Sequence, residues 1–273
     1  MRIDLHTHTT ASDGTLDAAE LLDRAQKAGI DMLAITDHDT VDGCLLASNS
    51  EQAGAKLIHG IELSTAWSGV GIHILGLNID PGSPTITDVV AAQQQARSLR
   101  ADEITRRLRK AGLACSIDAV KKLAGGQAIG RPHFARHLVD NGSARDIKHA
   151  FKKYLGPGKA GDVKNLWLPM ERIIAAVLLA GGIPVLAHPA KYKLTNKKLN
   201  ALLDDFCAAG GVGLEVISGA QSKDITQTLG SLCERREMLA SCGSDFHQPG
   251  FPWSELGNFP PLPAHLNPIW ESW

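Results

Sequence analysis

The chain has 273 residues, 44% of them hydrophobic and 21% charged, and its formal net charge is -1. This composition excludes a disordered chain, and the length fits either one domain or one domain that carries an insertion. The near-neutral balance gives no reason by itself to expect a polyanionic partner. Five cysteines without a CxxC pair indicate neither a disulfide framework nor a zinc–thiolate site, so we expect a protein of the reducing cytoplasm.

The N-terminus lacks the cationic start and apolar core of a signal peptide. The longest apolar stretch, Ile173 to Ala187, is interrupted by Gly181, Gly182 and Pro184, so it predicts a buried helix followed by a strand rather than a membrane span. We therefore expect a cytoplasmic protein without a membrane partner, and no obligate protein partner is evident.

Short apolar runs of strand character alternate with helix-like segments along most of the chain. Ala18, Leu21, Leu22 and Ala25, for example, recur at helical spacing. This alternation favours a mainly parallel sheet, and about seven strands favour a closed or nearly closed barrel, with an open doubly wound sheet as the alternative. The predicted strands are Ile3–Leu5, Met32–Ile35, Leu57–Ile61, Ile72–Leu77, Ile183–Leu186, Val212–Ile217 and Met238–Ala240, and the predicted helices around them are Leu16–Ala28, Pro169–Ala180, Asn196–Ala209 and Ser222–Arg236.

The middle of the chain departs from this alternation. Its pattern predicts helices, such as Pro132–Asn141 and an Ala144–Leu155 helix with Ser143 as N-cap, and no convincing strand. Residues 97–164 hold 16 lysines and arginines against 6 acidic residues, whereas the rest of the chain holds 12 against 23. We interpret residues 97–166 as a basic helical insert that forms a substrate lid, and residues 1–96 and 167–273 as the barrel. A solvated helical face is the alternative.

Six histidines and three carboxylates lie at or near the ends of the predicted strands. A lone histidine at such a position is usually structural, but the carboxyl ends of strands converge at one mouth of an α/β barrel, so these side chains are expected to meet. Imidazole with carboxylate and no thiolate suits zinc, manganese or iron rather than calcium. Asp37 and Asp39 flank one histidine and are expected either to orient it or to begin the next helix. The nine predicted metal ligands are His6, His8, Asp13, His38, Glu62, His73, His188, Asp245 and His247.

In order and spacing, these nine residues resemble the polymerase and histidinol phosphatase (PHP) family, a branch of the amidohydrolase-like barrels. The resemblance covers nearly the whole chain outside the insert. It implies an α/β fold, a distorted (β/α)7 barrel with a small helical insertion domain. It also implies three divalent metals, with manganese expected and zinc or iron as alternatives. The implied ligands are His6, His8, Glu62 and Asp245 for the first metal, Glu62, His73 and His188 for the second, and Asp13, His38 and His247 for the third.

Charge counting supports phosphate chemistry. Three divalent ions and three carboxylates leave a surplus of about three positive charges, which complements a phosphate monoester dianion better than a neutral amide. A hydroxide that bridges two metals is expected to attack phosphorus in line. The predicted catalytic residues are Asp245, His247 and His188, although the two histidines can act as general acid only if they are not metal ligands.

The insert is where we expect substrate choice to be made. In the motif at residues 130–133, Pro132 suits the first turn of a helix, so Arg131 would stand at a helix N-terminus. A guanidinium and free backbone N–H groups can bind a phosphate together there. The predicted substrate contacts are Arg131, His133 and Lys159, although Lys159 could simply belong to a turn.

The insert and its motif resemble one PHP subgroup, the 3′,5′-nucleoside bisphosphate phosphatases and related exoribonucleases. The resemblance implies release of the 3′-phosphate of adenosine 3′,5′-bisphosphate, which gives AMP and phosphate. The alternative is a 5′-to-3′ exoribonuclease that acts on short 5′-phosphorylated RNA. A histidinol-phosphate phosphatase is a weaker alternative, because a small cationic alcohol gives little reason for so basic an insert. The alternative from a different class is a non-catalytic, metal-stabilised module.

Overall fold

The computed structural model describes residues 1–49, 54–125, 129–164 and 166–273. Within these ranges, seven strands form one sheet, and each strand pairs with its neighbours in chain order. All seven strands overlap their predictions. β3 continues six residues past its predicted end at Ile61, so Glu62 lies inside that strand, and the other strand ends differ by three residues or fewer. The strands are β1 Ile3–Thr7, β2 Met32–Ile35, β3 Lys56–Trp67, β4 Val70–Leu77, β5 Ile183–Leu186, β6 Gly213–Ser218 and β7 Leu239–Gly243.

Helices cover the outside of the sheet and form the middle of the chain. The first begins at Asp17, whose carboxylate accepts a hydrogen bond from the Glu20 N–H at 2.8 Å, while Glu20 accepts one from the Asp17 N–H. None of the helices in the described ranges has both the length and the apolar character needed to span a membrane. The helices are α1 Ala18–Lys27, α2 Asp42–Ser48, α3 Pro84–Lys110, α4 Ile117–Ala124, α5 Arg131–Asp140, α6 Ile147–Ala150, α7 Met170–Leu179, α8 Asn196–Ala208 and α9 Lys223–Arg235, with short 3-10 turns at Pro189–Tyr192, Pro252–Ser254 and Ile269–Glu271.

The prediction of a mainly parallel sheet is confirmed, with four parallel strand pairs and two antiparallel ones. β3 pairs with β4, and β4 with β5, in antiparallel register. The reason is a two-residue hairpin turn at Ser68 and Gly69, whose φ angles are 46° and 73°. So short a turn reverses the chain and leaves no room for a crossover helix. It also brings His73, near the start of β4, opposite Ser64 on β3.

The sheet curls until its first and last strands meet. The Asp245 N–H donates to the His6 carbonyl at 2.9 Å, and the His8 N–H donates to the Phe246 carbonyl at 2.9 Å. At this seam Gly243 cannot carry a side chain, because a Cβ would lie 2.7 Å from the backbone nitrogen of His6. These contacts exclude the open doubly wound alternative and confirm a distorted, nearly closed seven-stranded barrel.

The middle of the chain has a hydrophobic core of its own. Ile104, Leu108 and Phe134 are fully buried in it, together with residues of α4 and α5. The first half of α3 packs elsewhere, because Ile86 belongs to the core between the barrel strands and their helices. The predicted boundary at residue 97 therefore falls inside one continuous helix, and the division of the chain into barrel and lid remains a prediction.

One element of the middle region differs from its prediction. The helix expected over residues 144–155 is instead the short α6 followed by one π-helical turn, Phe151–Leu155. The predicted cap at Ser143 is wrong, because Asp146 caps α6 by accepting a hydrogen bond from the His149 N–H at 2.7 Å. Gly156 ends the turn as expected, with its N–H donating to the Phe151 carbonyl at 2.8 Å.

Candidate active site

The nine predicted ligand side chains lie together at one mouth of the barrel. His6 lies on β1 and His8 directly follows it, and their spacing of two places both rings on one side of the extended chain. Glu62 comes from β3, and Asp245 follows β7. His73 joins them because β4 runs in the opposite direction, so the start of that strand lies at the mouth.

The first group of side chains surrounds one oxygen atom of Glu62. His6 Nε2 and His8 Nε2 each lie 3.3 Å from Glu62 Oε2, and they lie 3.5 and 3.3 Å from Asp245 Oδ1. Both imidazoles and Glu62 are fully buried. The ligand atoms of all four residues lie within 4.8 Å of one another, as one metal ion would require.

Glu62 also faces a second group. Its Oε1 atom lies 2.7 Å from His73 Nδ1 and 2.8 Å from His188 Nε2. His38 Nδ1 lies 3.0 Å from the other oxygen, so His38 contacts Glu62 more closely than the resemblance alone implies. Glu62 would therefore offer one carboxylate oxygen to each of two ligand groups.

A third group forms around Asp13, in the loop after β1. Asp13 Oδ1 lies 3.3 Å from His247 Nε2, and Asp13 Oδ2 lies 3.9 Å from His38 Nε2. His8 belongs to this group as well as to the first. Two histidines are thus shared between neighbouring groups, as is Glu62.

The donor set fits a cluster of divalent cations. Several buried side-chain atoms have no hydrogen-bond partner among the described residues, among them His6 Nε2, His8 Nε2 and Glu62 Oε2. Such unsatisfied buried atoms are rare in folded proteins, and here they face one another. Cations at these positions would satisfy them, and the mixture of imidazole and carboxylate suits transition metals.

The electrostatics of the site favour cations. Burial raises the pKa of Glu62, but His38, His73 and His6 outweigh it and hold that pKa well below its usual range. Burial lowers the pKa of His8, but the nearby carboxylates of Asp245 and Glu62, each 3.3 Å from Nε2, raise it to about 10. Negative charge is thus concentrated among the imidazoles, and metal ions must displace protons to bind.

Glu215 supports the site and was missed in the sequence. It lies on β6, is fully buried, and its Oε1 is 3.0 Å from His6 Nδ1, while its Oε2 accepts a hydrogen bond from the His188 N–H. A carboxylate behind a metal-binding imidazole fixes the orientation of the ring. The sequence feature that could have identified Glu215 is its position as an acidic residue between Leu214 and Val216 in an apolar strand.

Asp37 and Asp39, on either side of His38, hold neighbouring segments in place. Asp37 accepts hydrogen bonds from the Thr9 N–H at 2.7 Å and from Ser12 Oγ at 2.6 Å. Asp39 pairs with Arg97 on α3. The expected helix-start role is wrong for both, because α2 begins after Val41 without a side-chain cap.

A cavity of about 470 Å³ extends from the ligand groups to the insert. Imidazoles of the ligand groups, guanidinium groups and an indole all contribute to its lining. Its lining includes His38, His73, His188, Arg97, Arg100, Arg131, Lys164 and Trp167.

The three predicted substrate contacts lie in different surroundings. Arg131, the first residue of α5, lines the cavity and donates from Nη1 to the Leu155 carbonyl at 3.3 Å. His133 is buried, and its Nδ1 accepts a hydrogen bond from the Gly130 N–H at 3.0 Å, so its ring caps α5. Lys159 is exposed and is not among the residues that line the cavity.

Arg100 is a cavity residue that sequence reasoning missed. Only 6% of it is exposed, and it lies over the Trp167 ring with 5.0 Å between its Cζ and the ring centroid. Burial, Arg131 and Arg97 lower its pKa to about 9. None of the described carboxylates forms an ion pair with it. On the sequence alone, an arginine of a basic helix is indistinguishable from one on a solvated face.

Comparisons with known proteins give consistent matches. The family model of the PHP domain matches residues 4–155. A 5′-3′ exoribonuclease from Haemophilus influenzae is 42% identical, with 99% of this chain and 98% of that protein covered. A 3′,5′-nucleoside bisphosphate phosphatase from Chromobacterium violaceum is 38% identical, with 98% and 95% covered. The structure of an amidohydrolase from Chromobacterium violaceum, with bound sulfate and no metal, matches with a TM-score of 0.90 and 37% identity, covering 100% of this chain and 95% of that one.

Proposed function

The chain belongs to the PHP family of metal-dependent phosphoesterases, and we propose that its substrate is a nucleoside 3′,5′-bisphosphate, from which it releases the 3′-phosphate. Adenosine 3′,5′-bisphosphate is the expected substrate, with AMP and phosphate as products. The relative from Chromobacterium violaceum carries the name of this activity.

One observation supports the proposal: the cavity that the metal-ligand groups line is also lined by three guanidiniums, those of Arg97, Arg100 and Arg131. Arg100 forms no ion pair with a described carboxylate, and Arg131 has only the long contact of 3.9 Å between its Nη1 and Asp162 Oδ1. A buried cation without a close counter-ion is unfavourable, and a phosphate dianion would compensate it. A substrate with one phosphate at the metals and another at the arginines compensates the positive charge of both groups.

The residues have distinct roles in this proposal. The nine ligand side chains hold the metals, which we expect to number three and to be manganese. When bound, such ions lower the pKa of water and polarise the phosphoryl group. Arg131 and Arg100 bind the phosphate that does not react, and Glu215 keeps the His6 ring directed at the metals. The chain thereby orients its substrate before any bond breaks.

His188 and His247 act as ligands rather than as general acid in this arrangement. His188 Nε2 lies 2.8 Å from Glu62, and His247 donates from Nδ1 to the Asp245 carbonyl at 2.9 Å, which leaves its Nε2 facing Asp13. Asp245 completes the first group. The Lys191 ammonium forms an ion pair with Asp245, so Asp245 also has a cationic neighbour at the cavity wall.

The direct test is a product analysis. We expect the manganese-loaded enzyme to convert adenosine 3′,5′-bisphosphate into AMP and phosphate, resolved by chromatography against adenosine 3′-phosphate. Adenosine 3′-phosphate as product, or no release of phosphate, contradicts the proposal. Enzyme stripped of metal by a chelator serves as the control and should be inactive until manganese is restored.

A 5′-to-3′ exoribonuclease is the second candidate, favoured by the relative from Haemophilus influenzae that carries that name. The same two-ended cavity would hold a terminal 5′-phosphate at the arginines and the next phosphodiester at the metals. Comparing kcat/KM for adenosine 3′,5′-bisphosphate with that for short 5′-phosphorylated RNA separates the two. An advantage of about tenfold or more for RNA, roughly 1.4 kcal/mol, would favour the exoribonuclease.

A further inference from the structure

Arg97 connects barrel residues near the metal ligands with the start of α5. It lies in the middle of α3 and is only 6% exposed. All three guanidinium nitrogens have protein partners: Nε donates to Asp39 Oδ2 at 2.7 Å, Nη2 to Ser64 Oγ at 3.3 Å, and Nη1 to the Ile129 carbonyl at 3.3 Å. One side chain is therefore held by three separate segments.

On the barrel side, Arg97 holds the segments that carry metal ligands. Asp39 directly follows His38, and its N–H donates to the Glu62 carbonyl at 2.9 Å. The Asp39 carboxylate also accepts a hydrogen bond from the Ser64 N–H at 2.7 Å. The ion pair between Arg97 and Asp39 thus ties α3 to the loop of His38 and to the strand of Glu62.

On the insert side, Arg97 holds the start of α5. Ile129, whose carbonyl it binds, lies two residues before Arg131. A Cβ on the intervening Gly130 would lie 4.0 Å from Arg97 Nη1, so the backbone passes close to the guanidinium. The position of Arg131 in the cavity therefore depends on a contact from α3.

Arg97 differs from its neighbour Arg100 on the same helix. Arg100 donates from Nε to the Val163 carbonyl at 2.7 Å, and its two Nη groups have no hydrogen-bond partner among the described residues. These groups are available to an anion, whereas those of Arg97 are occupied by the protein. We therefore assign contact with a phosphate to Arg100 and Arg131. Arg97 affects the substrate only indirectly, through the residues that it holds in place.

We propose that Arg97 is a positioning residue that fixes the separation between the metal cluster and the anion-binding arginines, and thereby selects substrates with two phosphates. The inference rests on the proposed function. A guanidinium can hold an aspartate and a carbonyl at once in a fixed plane, whereas the single nitrogen of lysine cannot span the same partners.

The test measures preference rather than total activity. Preference is the ratio of kcat/KM for adenosine 3′,5′-bisphosphate to that for p-nitrophenyl phosphate, which has one phosphate. Arg97→Lys keeps a cation beside Asp39 but releases Ile129, so we expect the preference to fall by about tenfold or more, with p-nitrophenyl phosphate turnover and metal content within about threefold of wild type. Arg106→Lys, on the exposed part of α3, is the matched control and leaves both unchanged.

A double variant separates positioning from direct contact. If Arg97 acts through Arg131, then Arg97→Lys changes the preference by no more than about twofold in an Arg131→Gln background. Losses that multiply would mean that Arg97 contributes independently, and they would overturn the proposal. Equal loss of activity on both substrates, or loss of metal, would also overturn it, because Arg97 would then be merely structural.

The outcomes also separate this inference from the proposed function. If the wild-type enzyme shows no preference for the bisphosphate, the proposed function fails whatever Arg97 does. If the wild-type preference survives in Arg97→Lys, only the inference fails. Should Arg97→Lys not fold, Arg97→Met combined with Asp39→Asn removes both charges together and leaves no buried ion unpaired. That variant must show the same loss of preference.

Discussion

The barrel mouth and the insert contribute opposite charges to one cavity, and they hold those charges differently. At the mouth, Glu62 and Glu215 are fully buried, and each contacts residues from at least two separate segments of the barrel. In the insert, Arg131 is about one third exposed and sits at the start of a helix. The strand ends therefore hold the predicted metal ligands through several buried contacts, and we expect substrate choice to depend on arginines such as Arg131 that have fewer protein contacts.

Glu62→Gln should have the largest effect, because this side chain faces two ligand groups. The substitution keeps the volume but removes the charge that both cations share. We expect a loss of about a thousandfold or more in kcat for any phosphate ester, together with loss of bound manganese measured by elemental analysis. Glu234→Gln, an exposed residue of α9, is the control. A loss below about tenfold would show that Glu62 does not bridge metals.

Phe134→Ala tests whether the insert core is independent of the barrel. Phe134 is fully buried in the insert, so truncation should lower the free energy of unfolding there by about 3–5 kcal/mol. We expect limited proteolysis to cut within residues 97–166 at lower denaturant than in wild type, while the barrel retains its manganese. Loss of metal and of barrel structure in the same transition would show that the insert and the barrel unfold together.

Glu215→Gln should have an intermediate effect, because Glu215 reaches the metals only through His6 and His188. We expect manganese affinity to fall by about 10–100-fold, with most activity recovered at saturating manganese. Titration of the apo-enzyme with manganese, followed by phosphate release, measures both quantities. If activity stayed low at saturation, Glu215 would have a role in the reaction beyond orienting the ligands.

The parts of the molecule that follow from periodicity were predictable. Apolar runs located all seven strands, and residues at their ends met because strands of a barrel converge. The β3–β4 hairpin was not predicted, because Ser68 and Gly69 reverse the chain within two residues, and the two antiparallel strand pairs that result were not predicted either. Closure depended on backbone contacts at Gly243, which no side-chain pattern reveals.

The supporting residues of the site were harder to predict than its ligands. In the sequence, Glu215 is a single acidic residue within an apolar strand. Its supporting role depends on its contact with the His6 imidazole on a different strand. Arg97 and Arg100 belong to a helix rich in charge, and only packing shows that they turn inward. Long-range contacts of this kind leave no local signal in the sequence. The predicted metal ligands are therefore more complete than the predicted residues of the cavity.

Lys159→Gln should have the smallest effect, and it tests whether two basic residues of the insert differ in their contact with substrate. The sequence placed Lys159 beside Arg131 as a phosphate contact, but Lys159 is exposed and outside the cavity lining. An exposed charge is screened by salt, so at about 0.15 M ionic strength we expect kcat/KM for the bisphosphate to stay within about twofold of wild type. Arg131→Gln, measured in parallel, should lose about tenfold or more, because its charge lies inside the cavity. A larger loss for Lys159→Gln than for Arg131→Gln would mean that substrate binding draws the Gly156–Gly158 turn towards the phosphate, and that the insert closes on its substrate.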